Sequence, residues 1–420
     1  MNYIPAAKNR TLFPVILTHF LDNFGLALVY PIFTPLFLRI DLSFLPTSFT
    51  PFERSFLLGL TLATFSIAQF FGAPLIGQFS DPYGRKKAFF LTIMGVTIGY
   101  YMTGFSLYIH SLGILIFSRI WTGFFAGNLI LCLATVADLS PDEKTRTKNF
   151  GLLAAFGGLS FIIAIIIGGI FSNPAQHNIF HPSLPFFIAG TLSFINLFMM
   201  LWLFKESRPT SPYQHLHFFK GINNIFQALS DHTLRITYII YFFFMISWTG
   251  SMQLFPDILI QLYKLSPIQV SAIFVLIGAL WSLSNLIINR LLVKCFHTVK
   301  IFRFCLISLS VLLLIEGFPD QLPIFLTLML VNVCFASLCW SNGLAIISLS
   351  APAEVQGSVL GINQSMTAVA SILGPLAGGF LAGIDPHLIY FFTGLCALTS
   401  FSLLWMNCGK IPPPHKEKIS

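Results

Sequence analysis

Charged residues are scarce in this sequence: only 9% of its 420 residues are Asp, Glu, Lys or Arg. Soluble domains are typically about one quarter charged, so this chain cannot cover a water-facing surface with charge. It is instead 55% hydrophobic and 15% aromatic, and its mean hydropathy is +0.81. These proportions exclude a soluble globular protein and indicate that the chain lies in a lipid bilayer.

The patterns that mark enzymes and metal proteins are missing as well. None of the seven cysteines belongs to a Cys-x-x-Cys pair, and most lie within apolar runs. That distribution is typical of small buried side chains and not of a disulfide or zinc framework. No metal-ligand spacing, nucleophile elbow or phosphate-binding loop is present. We therefore expect no enzymatic activity, no cofactor and no metal.

Twelve runs of the sequence are long and apolar enough to cross a bilayer, which takes about 20 residues in a helix. The first run has no small-residue cleavage site. At about 27 residues it exceeds the core of a signal peptide, so we interpret it as a retained membrane helix. The sequence therefore predicts an all-α integral membrane protein. The predicted helices span residues 12–38, 55–79, 88–109, 112–137, 150–171, 185–204, 233–256, 267–289, 301–318, 323–349, 357–383 and 388–407.

The positive charges are distributed unevenly between the loops. If the N-terminus is cytoplasmic, only Arg39, Arg54 and Lys264 of the 23 Lys and Arg residues fall in outer segments. Arg119 alone lies within a helix. Cytoplasmic loops of membrane proteins carry the excess of Lys and Arg, so both termini are predicted to be cytoplasmic. The same asymmetry explains the net charge of +8 and argues against nucleic acid as a partner.

The longest polar stretch, residues 205–232, lies between the sixth and seventh predicted helices and contains Pro209 and Pro212. We interpret it as a cytoplasmic linker between an N-terminal six-helix bundle, residues 1–204, and a C-terminal one, residues 233–420. Its FFKGINNIFQAL segment allows two interpretations. A plain tether is favoured, and an amphipathic helix on the membrane surface is the alternative.

Helices five and eleven share a glycine pattern. Gly151 corresponds to Gly361, and Gly168–Gly169 corresponds to Gly378–Gly379 at the same sequence offset. Each helix also follows a polar loop with a Pro-x-Glu core, SPDE in one case and APAE in the other. The match predicts a duplication of six helices, as in many transporters. The residues expected to let helices pack closely are Gly151, Gly168, Gly169, Gly374, Pro375, Gly378 and Gly379.

The turn between helices two and three reads GQFSDPYGRKK, from Gly77 to Lys87. Its glycines and proline suit a sharp turn, and its cations suit the cytoplasmic surface. The order Gly-x-x-x-Asp-x-x-Gly-Arg-Lys resembles the signature turn of the major facilitator superfamily. That resemblance implies a cytoplasmic gate in which Asp81 braces the eleventh helix near Gly357–Ser358 and meets Arg146. The implied gate residues are Gly77, Asp81, Gly84, Arg85, Lys86, Lys87 and Arg146.

Two further segments resemble the drug:proton antiporters of the tetracycline-efflux type. LDNFGLALVYPIFTPLF matches their first helix in Asp22, Gly25, Pro31 and Pro35, and SRIWTGFFAG matches their fourth in Arg119 and Gly123. The chain departs from their pattern in helix five, because Ala164-Ile165 stands where those antiporters have Gly-Pro. A proline-driven kink of helix five is therefore not expected.

The resemblance implies the major facilitator fold, with twelve helices in two pseudo-symmetric six-helix bundles that open alternately to each side. It also implies a secondary active transporter that exports a small organic solute in exchange for protons. Uptake of a metabolite or siderophore by a symporter or facilitator is the alternative, which the missing Gly-Pro favours. A non-transporting sensor is a third, against which the intact turn motif argues. We expect a multi-pass protein of a bacterial inner membrane that works as a monomer among lipids.

Proton coupling is expected to depend on Asp22, Arg119 and His19. Asp22 is the one carboxylate predicted well inside a helix, whereas Glu316 is predicted at the interface. An unpaired charge at mid-bilayer costs about 2.5–3.5 kcal/mol, which favours the neutral form of Asp22. A structural hydrogen bond is the alternative role for this acid, and plain packing is the alternative for His19. The helical rise places Asp22 and Arg119 at different depths, so we expect a relay between them and not direct pairing.

Aromatic, Met and Asn side chains recur at helical spacing on several predicted helices. Such a wall suits bulky apolar or cationic ligands, although ordinary packing is the alternative for each residue. Trp281 and Asn285 of helix eight belong to the same set. The residues predicted to line a solute cavity are Asn23, Tyr30, Tyr238, Tyr241, Met245, Trp248, Asn332 and Trp340.

Overall fold

The computed structural model describes residues 5–38, 45–139, 143–171, 180–206, 219–230, 234–349 and 356–407. Within these ranges every regular element is a helix, as the sequence predicts. The helices are α1 (Pro5–Ala27), α2 (Val29–Leu38), α3 (Pro51–Tyr83), α4 (Arg85–Tyr108), α5 (Leu112–Phe125), α6 (Asn128–Asp138), α7 (Glu143–Phe171), α8 (Leu184–Leu203), α9 (Lys220–Ser230), α10 (Arg235–Gln253), α11 (Phe255–Gln261), α12 (Pro267–Leu283), α13 (Arg290–Cys295), α14 (Thr298–Glu316), α15 (Leu322–Leu349), α16 (Gln356–Ile384) and α17 (Leu388–Met406). A π-helical turn, Ser284–Asn289, separates α12 from α13.

The described residues contain eleven stretches that are long and apolar enough to cross a membrane. A shorter apolar helix, Phe156–Phe171, is part of α7 and coincides with the fifth predicted helix. The predicted all-α membrane architecture is confirmed. The total of twelve crossings and the cytoplasmic termini agree with this arrangement and stay predictions.

Three of the predicted helices are interrupted, although the sequence predicted continuous ones. The first stops at Leu28, the fourth at Ala126–Gly127 and the seventh at Leu254. A break frees backbone N–H and C=O groups that must find partners where water is absent. At the fourth helix, Gln69 Nε2 donates a hydrogen bond of 2.9 Å to the Ala126 carbonyl. Side-chain amides thus stabilise an interruption that periodicity does not reveal.

The polar stretch before the seventh predicted helix contains α9, so the favoured interpretation of its FFKGINNIFQAL segment as a plain tether is wrong. One side of α9 is packed: Ala228 is buried, and Asn224 Nδ2 donates to Ser365 Oγ at 3.0 Å. The other side is apolar and open, with Phe226 68% exposed. Its location on the membrane surface stays a prediction.

The chain forms two compact units. Unit 1 comprises Met1–Pro46, Thr64–Lys220 and Ser266–Val275, and unit 2 comprises Thr47–Ala63, Gly221–Leu265 and Leu276–Ser420. The outer part of α3 therefore belongs to unit 2, and the start of α12 belongs to unit 1. The division into bundles at residues 205–232 stays a prediction.

Each unit has its own helix packing. In unit 1, α4 packs against α5 and α8, and α1 packs against α7 and α8. In unit 2, α10 packs against α16 and α17, and α14 packs against α15 and α17. Large apolar side chains such as Phe105, Trp202 and Phe304 are more than half exposed. Lipid tails, unlike water, tolerate such a surface, which agrees with a membrane location.

Candidate functional site

Asp22 lies on α1, near the interruption of the first helix, and is half-buried. Its Oδ1 accepts a hydrogen bond of 3.0 Å from Asn128 Nδ2. Asn128 is the first residue of α6, so the break at Ala126–Gly127 places its side chain opposite the acid. The amide oxygen of Asn128 is buried and has no hydrogen-bond partner. Sequence analysis missed Asn128, which lies 106 residues from its partner.

Arg119 lies on α5 and is buried, with its guanidinium carbon 4.5 Å from the ring centroid of Phe65 and 5.7 Å from that of Phe33. Its Nε has no hydrogen-bond partner among the described residues. No ion pair joins Arg119 to Asp22 in the described structure. Cation–π contact therefore takes the place of a salt bridge here.

Tyr100 of α4 lies within electrostatic range of both Asp22 and Arg119. Its hydroxyl donates a hydrogen bond of 3.2 Å to the Leu21 carbonyl. Gly25 leaves the room for this ring, because a Cβ atom there would lie 1.9 Å from the tyrosine oxygen. The relay expected between Asp22 and Arg119 stays a prediction, and Tyr100 is the residue placed to take part in it.

His19 is buried on the same helix as Asp22, but its polar contacts are local. Asn23 Nδ2 lies 3.3 Å from the imidazole and donates to the His19 carbonyl at 2.9 Å. Gly157 packs against the ring, since a Cβ atom added at Gly157 would lie 2.8 Å from His19 Nε2. Tyr30 is held by aromatic rings, with centroids 5.8 Å from Phe161 and 5.4 Å from Phe274. The roles predicted for His19, Asn23 and Tyr30 stay predictions.

The turn between α3 and α4 is built around Gly84, whose φ of 91° and ψ of 154° suit glycine almost alone. The carboxylate of Glu206 accepts hydrogen bonds from the backbone N–H of Arg85 (2.9 Å) and of Lys86 (3.0 Å). An acid at this place satisfies free N–H groups and complements the positive end of the α4 dipole. Sequence analysis assigned Glu206 only to the linker.

Arg85 is the buried cation of the same turn. Its Nε lies 3.4 Å from Asp138 Oδ2, and its guanidinium also bonds the hydroxyl of Ser80. The turn is therefore tied to the end of α6 as well as to Glu206. The contacts predicted for the side chains of Asp81, Arg146 and Ser358 lie outside the described residues.

We expect Gly84→Ala to lower the free energy of unfolding by about 1–3 kcal/mol, because alanine must adopt a glycine-only backbone conformation. The added Cβ would also lie 2.6 Å from Glu206 Oε2. Thermal unfolding of the purified protein measures the effect. Gly361→Ala is the matched control, since nothing lies within 4 Å of its Cβ position. Equal stability of the two variants would contradict the strain assigned to the turn.

Three tryptophans of unit 2 lie together. Trp248 of α10 and Trp281 of α12 stack with ring centroids 4.7 Å apart, and Trp340 of α15 lies 6.3 Å from Trp281. Trp340 is 40% exposed, and the other two are half-buried. The π-helical turn begins three residues after Trp281 and contributes Asn289, whose Oδ1 accepts a bond of 2.8 Å from Asn342. Such turns often occur at functional sites.

The other residues predicted to line the solute cavity are packed more tightly. Tyr238, Tyr241 and Met245 are at most 5% exposed. The hydroxyl of Tyr241 donates to the Trp340 carbonyl at 3.4 Å, so it supports the tryptophan cluster from behind. Asn332 is buried and donates to Glu316 Oε1 at 2.9 Å. Solute contact by any of these residues stays a prediction.

Two carboxylates are buried where the sequence analysis did not expect them. Asp257 is 0% exposed and Glu316 is 1% exposed. Both acids lie near helix ends, so the expectations that Asp22 is the one acid well inside a helix and that Glu316 lies at the interface stay predictions. Pro256 was taken as the end of the seventh helix, but proline is tolerated in a first helical turn, and α11 starts at Phe255.

The glycines predicted to pack helices mostly do so. A Cβ atom added at Gly168 would lie 2.7 Å from Pro31 Cγ. One added at Gly374 would lie 2.8 Å from the Gly250 nitrogen, and one added at Gly379 would lie 2.9 Å from the Ser55 carbonyl oxygen. Gly378 approaches Leu254 in the same way, at 2.4 Å. Pro375 contributes its carbonyl oxygen, which lies 2.5 Å from the Cβ position of Gly59. The packing expected of Gly151 and Gly169 stays a prediction.

The sequence matches proteins that span a similar length. It is 25% identical over 408 residues to multidrug resistance protein 2 of Bacillus subtilis (strain 168), covering 94% of this chain and 95% of the relative. It is 28% identical over 204 residues to the class H tetracycline resistance protein of Pasteurella multocida, a match to 48% of this chain and 46% of that protein.

Solved structures share the fold. A human organic anion transporter aligns with a TM-score of 0.71 at 21% identity, covering 96% of this chain and 100% of that one. A D-xylose-proton symporter aligns with a TM-score of 0.74 at 14% identity, covering 97% and 98%. The family model of the Major Facilitator Superfamily matches residues 15–294 and 237–420. Interrupted helices, the Gly84 turn and these matches agree, and the chain belongs to the Major Facilitator Superfamily of membrane transporters.

Proposed function

We propose that the chain exports small aromatic organic compounds and takes up protons in exchange, in the inner membrane of a bacterium and as a monomer. The observation that carries this proposal is Asp22, an acid inside the first helix that is held by one side-chain amide. Acids within membrane helices are expensive to bury and usually serve ion or proton movement. The relatives named for multidrug and tetracycline resistance support export over the uptake alternative.

The contact between Asp22 and Asn128 suits a proton that binds and leaves. Asn128 Nδ2 donates to Asp22 Oδ1, but the Asn128 oxygen has no donor. An ionised carboxylate has no hydrogen to offer that oxygen, whereas a protonated carboxyl has one. Proton binding therefore creates a donor where the structure has an unsatisfied buried acceptor, and it removes a charge from the helix interior.

Burial and the hydrogen bond act on the acid in opposite directions. Removal from water favours the protonated form of Asp22, whereas the hydrogen bond donated by Asn128 favours the ionised form. Modest changes in hydration can therefore shift the balance between the two states. A carrier that alternates between the two states can couple proton movement to alternating access.

The three tryptophans offer the surface for an aromatic solute. Trp281 contacts the rings of both Trp248 and Trp340, and Trp340 is 40% exposed. Flat aromatic faces bind planar and cationic compounds by stacking and by cation–π attraction.

Transport by inside-out membrane vesicles tests this function. With an acidic interior, vesicles that carry the protein should accumulate tetracycline or ethidium, and an ionophore that collapses the gradient should stop the accumulation. Vesicles without the protein control for leakage. Gradient-driven accumulation in right-side-out vesicles instead would mean uptake and would overturn the proposed direction.

We expect Trp281→Leu to raise the KM for tetracycline by up to about tenfold, because an aromatic contact contributes about 0.5–1.5 kcal/mol beyond its area. Initial rates of vesicle uptake give this KM. Trp202→Leu is the matched control, since Trp202 is 84% exposed on α8. An unchanged KM in Trp281→Leu, or an equal rise in both variants, would argue against the tryptophan surface.

A further inference from the structure

The two unexpected acids lie near the same end of three neighbouring helices in unit 2. Asp257 is on the short helix α11, and Glu316 is the last residue of α14. Tyr390, near the start of α17, lies within electrostatic range of both. The Lys and Arg distribution predicts that this end faces outward. Neither acid takes part in the proton coupling assigned to Asp22.

Glu316 faces a side-chain amide that satisfies only one of its two oxygens. Its Oε1 accepts a hydrogen bond of 2.9 Å from Asn332 Nδ2. The remaining two oxygens, Glu316 Oε2 and Asn332 Oδ1, are both buried and both lack a partner. Each unsatisfied buried acceptor is costly. If Glu316 carries a proton, its O–H becomes the donor that the amide oxygen needs, and acid and amide are matched as a cyclic pair.

Asp257 has a similar shortage of donors. Gln261 Nε2 uses one hydrogen for Asp257 Oδ1 and the other for Ser55 Oγ at 2.6 Å. Asp257 Oδ2 is buried and has no partner. The carboxyl thus has Gln261 and Ser55 as neighbours but no cation, whereas an ionised carboxylate in a dry interior needs several donors together with a cation.

Tyr390 also has an unsatisfied hydroxyl in this part of unit 2. Its oxygen is buried without a hydrogen-bond partner, and its ring packs on Phe325 with centroids 5.4 Å apart. Tyr263, which is also within electrostatic range of Tyr390, donates instead to the Pro319 carbonyl at 2.6 Å. The Tyr390 hydroxyl can both give and accept a hydrogen, but no hydrogen bond joins it to either acid in the described structure.

Neither acid forms an ion pair among the described residues. Asp320 pairs with His387 at 4.0 Å and is 94% exposed, so it lies in water.

We propose that Glu316 and Asp257 form a second proton-binding site, in which Glu316 holds a proton shared with Asn332 and Asp257 holds another on its unsatisfied oxygen. The ligand is the proton itself. This site is separate from Asp22, and its occupancy does not depend on the export proposed above. It gives unit 2 a protonatable centre of its own.

Infrared spectroscopy of the purified full chain tests the proposal, because a protonated carboxyl has a C=O stretching band that an ionised one lacks. At neutral pH the wild type should show this band, shifted by exchange into D2O. Glu316→Gln and Asp257→Asn should each remove part of it, and Asp320→Asn should leave it unchanged. Gln at 316 can pair with Asn332 through two amide hydrogen bonds, so this variant should fold. Identical bands in the wild type and in both variants would overturn the proposal.

Two further measurements keep the result independent of transport. Thermal stability of the wild type should fall as the pH rises from about 4, the ordinary pKa of a carboxyl, to the higher pH at which the folded acids ionise, because over that range the folded state keeps protons that the unfolded chain releases. Glu316→Gln should weaken this dependence, and an unchanged slope would contradict a bound proton. Sodium chloride at constant pH should leave the carboxyl band intact, whereas its loss on sodium addition would assign the site to a metal cation. Failure of Asp22→Asn to affect transport would bear on Asp22 and not on these bands.

Discussion

Asp22→Asn should abolish gradient-driven accumulation of tetracycline in inside-out vesicles and leave the fold intact. An asparagine at this position keeps the shape of the side chain, and its oxygen can still accept the hydrogen bond from Asn128 Nδ2, which is 3.0 Å long in the wild type. It cannot bind or release a proton, so the coupling between the gradient and the solute is lost. The initial rate of accumulation under an imposed gradient is the measurement.

Exchange separates a coupling defect from a binding defect in the same variant. Swapping labelled for unlabelled tetracycline needs no net proton movement, so it should continue with Asp22→Asn. Asn128→Leu is the informative companion, because it removes the amide and keeps the acid. It should slow gradient-driven transport less than Asp22→Asn does. Accumulation that persists with Asp22→Asn would place the proton carrier at another residue.

The helical spans were predictable because they depend on a local property, the length of an apolar run. The predicted fourth helix, 112–137, matches the combined extent of α5 and α6 closely. Its break at Ala126–Gly127 was not predictable, since the Gln69 amide that satisfies the free carbonyl lies 57 residues away in the chain. Such breaks are determined by tertiary hydrogen bonds, which leave no periodic trace in the sequence.

The candidate sites were likewise only partly predictable from the sequence. Asp22 and Arg119 were predictable because charged residues are rare inside membrane helices, so each can be recognised from the sequence alone. Their neighbours are ordinary polar residues: Asn128 is one amide among many, and Glu206 lies 121 residues from the Arg85 backbone that it caps. Glu316 was assigned to the interface because of its place at a helix end, and only the packing around it shows its burial.

Gly123→Val should prevent α3 and α5 from packing and should strongly reduce the yield of folded protein. A Cβ at Gly123 would lie 2.2 Å from the Phe65 carbonyl oxygen, and on the other side of the contact one at Gly72 would lie 1.9 Å from the Phe124 oxygen. Backbone atoms cannot move aside as side-chain ends do, so the helices must separate. Overpacking in a core costs about 1–3 kcal/mol, and contact with the backbone adds to that. Size-exclusion chromatography and thermal unfolding of the purified protein measure the loss.

Gly113→Val is the matched control on the same helix, because nothing lies within 4 Å of its Cβ position. It should fold like the wild type, and equal yields of the two variants would show that the close approach of α3 is not needed.

The contact also bears on transport. Arg119 precedes Gly123 by about one helical turn, and its guanidinium carbon lies 4.5 Å from the Phe65 ring centroid. The close contact between α3 and α5 that leaves no room for a side chain at Gly123 therefore also positions Arg119. The smaller change Gly123→Ala should therefore slow gradient-driven transport even in the fraction of the protein that folds.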